Sequence, residues 1–408
     1  MKSPNRKRLL LVLILILNSA VLSQSTWNLL PALTGSLNSL YFVNNQTGWV
    51  VGSPGVFKTT NGGFNWAIQS SDSARGVCFI NGNTGIIGGH NPKRTTDGGA
   101  IWTNLSRFAD TLVYDISRTD SMILFACGGR PGTSYGVIWR SIDAGLNWSR
   151  VYHYSNAGNY LSVQFINYNT GWATTHTGGI YRTTNGGMGS YMSWSPNIAF
   201  YDVFFVDNNT GWLASNSATV RKTTSGGLSG WTQQPLPYDN GFAMHFFNSS
   251  DGRVVGPNGI MRTLNGGTNW FLEPSPTSES LNGIFFTGND TGYICGNNGT
   301  ILKTVNGGSI TNIQNVSSEI PGDYSLSQNY PNPFNPVTKI KFDIPTPSFV
   351  KLIVYDVQGQ EISTLLSKEL NAGTYSIDFD GSSLSSGVYF YKITSGNYSV
   401  IKKMVLIK

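Results

Sequence analysis

The sequence predicts an all-β chain: a seven-bladed β-propeller followed by a small Ig-like β-sandwich. Three observations predict it. The phrase KTTNGGFNW, at residues 58–66, recurs in varied form, with units starting at Thr59, Thr95, Ser141, Thr183, Thr223, Thr263 and Thr304, spaced 36, 46, 42, 40, 40 and 41 residues apart. The composition, with 48 Gly, 12% aromatic and only 12% charged residues, suits short strands and tight turns better than helices. After Asn315 the repeat stops, and longer segments of alternating apolar residues replace it.

In chain order, residues 1–23 read as an export signal. Lys2, Arg6, Lys7 and Arg8 precede an apolar run from Leu9 to Leu17, with small residues leading to Ser23. A run that short cannot cross ~30 Å of hydrocarbon, so it is a secretory signal and no transmembrane segment. Residues 24–314 carry the repeat. The first unit reads SLYFVN, TGWVVGS, GVFKTTNGG and NWAIQ, four short strands that make one blade. An aromatic marks the inner strand at Phe42, Phe79, Phe165, Phe205, Phe246 and Phe286, and the third copy departs. Thr-Gly-Trp turns recur at Trp49, Trp172 and Trp212, with Tyr293 as a variant. The seventh unit has Thr311 where Trp is due, while Trp27 precedes Phe42 by 15 residues, the interval from Trp231 to Phe246. The N-terminal strand is therefore expected to complete the last blade, beside residues 301–314, and close the ring. Residues 315–323 (around SSEIPGD) read as a linker. Residues 324–408 read as the sandwich, from alternation at Leu352, Val354 and Tyr355 and at Val388, Phe390 and Tyr391.

The recurring phrase resembles the Asp box of BNR-type propellers. SIDAGLNW (residues 141–148) and TTDGGAIW (residues 95–102) match its pattern in full, and two further copies carry Asn for Asp. Its acid or amide is expected to cap the hairpin's free N–H groups, its Gly pair to allow the turn, and its Trp to cover it. The repeat region as a whole resembles the photosystem II assembly-factor type of BNR propeller, which implies a protein-binding scaffold. The tail resembles the type A C-terminal sorting domain of type IX secretion, on NYPNPFNP (residues 329–336), Ala372-Gly373-Tyr375, Ser386-Gly387-Val388-Tyr389 and the basic end. That resemblance implies a bacterium of the Bacteroidetes–Chlorobi type. It also implies contact between residues 324–408 and the type IX machinery, and a mature protein that is secreted or held at the outer surface.

The net charge of +6 is no nucleic-acid footprint, because seven basic residues at the two extreme ends exceed it. Cys78, Cys127 and Cys295 are too scattered for a disulfide framework or a metal site and read as buried thiols. No cofactor motif is present. A basic residue precedes every box: Lys58, Arg94, Arg140, Arg182, Lys222, Arg262 and Lys303. A feature shared by all blades serves the fold, so these are read as packing on aromatics or pairing with blade carboxylates.

Function is sought where the repeat breaks. The third blade has an enlarged loop carrying Arg130, Thr133 and Tyr135, and its link to the fourth is aromatic, with His153, Tyr154 and Tyr160. His90 and His176 fall on the same face. Arg130, Tyr135, His153, Tyr154, Tyr160 and His176 are thus candidate binding residues for a protein or glycan. BNR propellers include sialidases, so an extracellular glycosidase is the alternative. Such chemistry uses paired carboxylates, and Asp115 and Asp202, at equivalent inner-strand positions, are the pair to test. The reading favours a non-catalytic binding or scaffolding module.

Overall fold

The computed structural model describes residues 27–408 apart from 109, 155–157, 189–190, 195–197, 239, 306, 308–313, 318 and 382–383. The export signal and Thr311 lie outside the described residues.

Seven four-stranded antiparallel sheets form the repeat region, and two more form the tail. The inner strands of blades 1 to 7 are Leu37–Phe42, Val77–Phe79, Leu112–Arg118, Tyr160–Phe165, Phe200–Phe205, Ala243–Phe246 and Leu281–Phe286. Each packs against the next, and the seventh packs against the first, so the sheets form a closed ring. Within a blade the strands pair in chain order, except in blade 7. There Asn28–Leu29 pairs with Ile301–Thr304, in the register Asn28↔Lys303. The expected closure by the N-terminal strand is what the ring uses.

The box is a self-contained clasp. In the first copy Thr59 Oγ1 accepts from Gly63 N at 2.9 Å and donates to Asn61 Oδ1 at 3.0 Å, and Asn61 Oδ1 accepts from Asn65 N at 2.9 Å. The same three bonds recur around Thr95, Asp97 and Ile101. The first Gly of the pair takes positive φ in every copy that has one, 69° at Gly62 for example, and Ala144 is forced to 60° there. The box Trp meets the inner-strand Phe of its own blade edge-on, with centroids 6.2 Å apart for Trp66–Phe42 and 6.1 Å for Trp270–Phe246. Trp27 meets Phe286 in the same way, at 5.8 Å and 77°. It occupies the place of the tryptophan that the seventh box lacks.

The Thr-Gly-Trp residues join neighbouring blades. Trp49 stacks on Phe79 of the next blade at 3.4 Å and 9°, and Trp172–Phe205, Trp212–Phe246 and Tyr293–Phe42 repeat the stack. Each indole N–H then donates to a carbonyl of the next blade's box, as Trp49 Nε1 does to Gly98 O at 3.1 Å. Lys58, Arg182, Lys222 and Lys303 lie 5.2–6.0 Å over the other faces of these rings. The repeated cations are therefore structural, as their presence in every blade suggested. Blade 3 departs because Arg118 stands at the Phe position. Phe108, from the preceding 3-10 turn, fills the gap and packs on Trp148 at 5.2 Å.

In the sandwich, Val350, Leu352, Val354 and Tyr391 of one sheet face Ile340 and Phe342 of the other across a buried core. Two expectations need correction. The segment Gln314–Ser317, assigned to the ring's end and the linker, is an edge strand of the sandwich that pairs with Gly373–Asp380. In Gly387–Ser395 the inward set is Tyr389, Tyr391 and Ile393, while Val388 is exposed and Phe390 only half-buried. A one-residue change of phase turns the other face of a strand inward, and the face carrying both tyrosines took the core.

Candidate functional site

On the face where inner strands begin and second strands turn into third strands, blades 2 and 3 leave a groove of about 520 Å³. Its walls include His90, Asn91, Asp110, Thr111, Arg130 and Thr133. The blade 3 loop is braced from within, because Thr133 Oγ1 donates to Arg130 O at 2.9 Å. The exposed Arg130 guanidinium lies 5.5 Å over the Tyr135 ring. Tyr135 is positioned in turn by Arg150, whose Nη1 donates to its hydroxyl at 2.8 Å, and by His153, 6.0 Å away between ring centres. Arg130, Tyr135 and His153 therefore form one run of cation and rings at the edge of the groove. His176 is not among the groove's walls; its backbone N–H donates to Asn159 O at 3.4 Å, in the link whose Gly158 N donates to Ser134 O of the blade 3 loop at 3.2 Å.

Tyr160 does not belong to this surface. Its ring is fully buried and packs edge-on against Tyr181 at 6.1 Å, within the core between blades 3 and 4. The Tyr154 backbone pairs opposite Gly136, and its side chain lies outside the described residues. Asp110, Thr111 and Asn91 were missed by sequence reasoning. Asn91 sits in the second-to-third turn of blade 2, and Asp110, at φ 62°, and Thr111 sit in the link that leads into the inner strand of blade 3, where no pattern repeats.

Asp115 and Asp202 are near one another, but both are engaged in holding strands. Asp115 accepts from Ile116 N at 2.8 Å and from Val163 N of the next blade at 3.0 Å. Asp202 accepts from Val203 N and from Met244 N of the next blade, each at 2.8 Å. Ser162 Oγ of blade 4 lies 3.1 Å from Asp115 and 2.9 Å from Asp202. One hydroxyl hydrogen serves only one carboxylate, so the second contact calls for a proton on the pair. Burial, and next the charge of Asp115, push the Asp202 carboxyl up to about 7; burial also raises Asp115. Neither carboxylate lines the groove.

A second constellation, at the closing seam, went unread. In blade 6 Arg253 stands where other blades have the turn Trp. Its guanidinium lies 5.5 Å over Phe286 and donates to Gly307 O, as an indole would. Fully buried, it pairs with buried Glu273 through two bonds of 3.1 Å. Arg262 bridges Glu273 and Asp251, and Trp27 Nε1 donates to Glu273 at 3.1 Å. Asp251-Gly252-Arg253, aligned on the other Thr-Gly-Trp turns, was the available signal.

The three cysteines are buried and free. Among the described residues, no group of three or more His, Cys, Asp or Glu could hold a metal ion, and no helix is long and apolar enough to cross a membrane.

Residues 328–408 match the secretion system C-terminal sorting domain family. This domain directs the chain through type IX secretion to the cell surface or beyond. Among solved structures, the chain is similar to YCF48 bound to D1 peptide, at 19% identity and TM-score 0.57, over 69% of this chain and 97% of that one. It is also similar to YCF48 from Cyanidioschyzon merolae, at 18% identity and TM-score 0.55, over 68% and 98%. An ancestral GH74 enzyme matches at 13% identity and TM-score 0.57, over 91% of this chain and 62% of that one. At these identities the likeness establishes the β-propeller fold and nothing further. A search of the curated proteins finds no match to the chain.

Proposed function

We propose that this exported chain is a non-catalytic binding module, which engages a protein or glycan ligand through the blade 2–3 groove and its rim of Arg130, Tyr135, His153 and His176. The observation that carries the reading is where the repeat breaks. The boxes, the turn tryptophans and the basic residues that recur around the ring are occupied in holding blades together. The groove is instead lined by side chains that belong to no repeat, with Arg130 and His90 exposed there. A cation, a carboxylate, hydroxyls and ring faces within about 520 Å³ suit a polar ligand with donors and acceptors. The D1 peptide in one structural relative gives a precedent for the fold holding a peptide, at the level of analogy. In this reading the tail contacts the type IX machinery, the ring ends before Gln314, and residues 1–23 are removed on export.

The glycosidase alternative rests on the closeness of Asp115 and Asp202, bridged by one serine hydroxyl. Their oxygens accept backbone N–H groups of three successive blades beyond that of Asp115 itself and its own strand, which argues for a structural role. Glycan and peptide arrays, run with a panel of glycosidase substrates, separate the readings. A ligand bound by the wild type and lost in Arg130→Ala and His153→Ala is the expected result. Turnover of a glycoside that disappears in Asp115→Asn or Asp202→Asn would overturn it.

A further inference from the structure

On the opposite face, where inner strands end, the first-to-second turns of blades 7, 1 and 2 enclose a second cavity of about 490 Å³. Two half-buried rings form its floor, Tyr41 and Phe285, with centroids 4.8 Å apart and planes tilted by 46°. Arg118 reaches into it from blade 3, its guanidinium 6.0 Å over Tyr41. Arg118 stands at the position where other blades put the inner-strand Phe, so the departure that called in Phe108 also delivered a cation here.

The chemistry of the lining is one-sided. Nη1 of Arg118 donates to Ile80 O at 2.7 Å and to Phe79 O at 3.3 Å, and the guanidinium also hydrogen-bonds the Tyr41 side chain, so the cation is held in place at the cavity. Asn44 and Asn81 use their Oδ1 atoms to accept turn N–H groups, as from Thr47 N and Thr84 N at 2.8 Å each. Their amide NH2 groups have no protein acceptor in the described bonds. The lining holds one cation and no carboxylate. The turns do not require this neutrality. Asp120 and Asp207 make the same turn bonds in blades 3 and 5, to Ile123 N at 2.8 Å and Thr210 N at 2.7 Å.

A donor-rich, acid-free cavity floored by aromatic rings selects a ligand that has a carboxylate, several oxygen acceptors and a flat C–H face. We propose that this cavity is a second, independent binding site, for an acidic sugar of the hexuronate class. The carboxylate pairs with the Arg118 guanidinium, the sugar's C–H face rests on Tyr41 and Phe285, and ring oxygens accept from Asn44 and Asn81.

Calorimetric titration of the purified protein with glucuronate, glucose and acetate tests this. Glucuronate is expected to bind at least tenfold more tightly than either control, since it alone offers both the charge and the ring, each charge-assisted contact being worth roughly a factor of ten. Arg118→Gln should abolish binding, but it also removes bonds that tie blade 3 to blade 2. Asn81→Asp is therefore the cleaner variant. It keeps the turn bonds that Asp120 and Asp207 make, and it sets a like charge against the ligand, so it should weaken glucuronate binding roughly tenfold with an unchanged melting temperature. Arg130→Ala, on the other face, should leave glucuronate binding unaltered. No binding of glucuronate, binding no tighter than acetate or glucose, or full affinity in Asn81→Asp would each overturn the assignment.

Discussion

Trp27→Ala tests whether the N-terminal strand closes the ring. Trp27 is 1% exposed and packs with Val255, Ile260, Phe286 and Leu302, so it joins blade 6 to blade 7. Truncating a buried Trp to Ala costs about 3–5 kcal/mol, from lost burial and the cavity left behind. Glu273 also loses the indole donor but keeps both bonds to Arg253, so no charge is orphaned and the middle of the range applies. At about 2 °C per kcal/mol for a domain of this size, the melting temperature should fall by roughly 8 °C. Trp27→Phe keeps a ring in the slot but not the donor, and should cost about 2 kcal/mol, the value of a hydrogen bond to a charged acceptor. Calorimetric melting of the purified protein reads both variants. Hydrogen exchange at Ile301–Thr304 locates the effect, because those amides lose their edge partner. If Trp27→Ala melts within about 1 °C of the wild type, blade 7 is stable without the N-terminal strand and the closure argument fails.

Three further outcomes follow from the same structure. Glu273→Gln leaves buried Arg253 without its bidentate carboxylate and should cost about 3–5 kcal/mol in urea unfolding; a loss below about 1 kcal/mol would mean that Asp251 suffices. Asp202, raised to about 7 in the folded ring, keeps its proton where the unfolded chain has lost it. Its contribution is full below the ordinary carboxylate value, declines as pH rises from about 4 to 7, and is gone above, falling by ~1.4 kcal/mol for each pH unit crossed. Asp202→Asn should flatten the fall in stability across that window, and an unchanged pH slope would exclude Asp202 as its source. Ala144 occupies a left-handed turn position, at φ 60°, where the other boxes have Gly. Ala144→Gly should stabilise by about 1 kcal/mol, seen as a melting temperature raised by ~2 °C, despite removing a methyl group.

Much of the fold was legible because a propeller writes its geometry into the chain as a period. The repeat starts, the inner-strand Phe residues and the Thr-Gly-Trp turns each mark a position whose role is the same in every blade, and comparison among copies reveals it. Trp27 could be placed from spacing alone, since a missing residue in one copy and a spare in phase elsewhere are complementary. The structural role of the box was readable too, because its bonds run within seven residues of chain. The tail's strand phase was less secure. In Gly387–Ser395 aromatic and apolar residues alternate on both faces, and only the opposing sheet chose Tyr389 and Tyr391.

The candidate sites were legible only in part. Loops that break a period can be found from sequence, and Arg130, Tyr135 and His153 did come together. Tyr160 was lost to the core because its distance from the loop says nothing about which way its ring points. The pairing of Asp115 with Asp202 through Ser162 links residues 87 apart in number and needs three consecutive blades to be seated.

The sequence by itself determined the architecture, the export route and the closure of the ring, because those depend on periodicity, on local hydrogen bonding and on a short-range motif. Tertiary structure alone decided which irregular residues share a cavity, which carboxylates are consumed in holding strands, and that Arg253 takes over the task of a tryptophan. Those outcomes depend on the packing of one blade against the next, where residues some 50 or 250 positions apart meet, and no local pattern encodes that meeting.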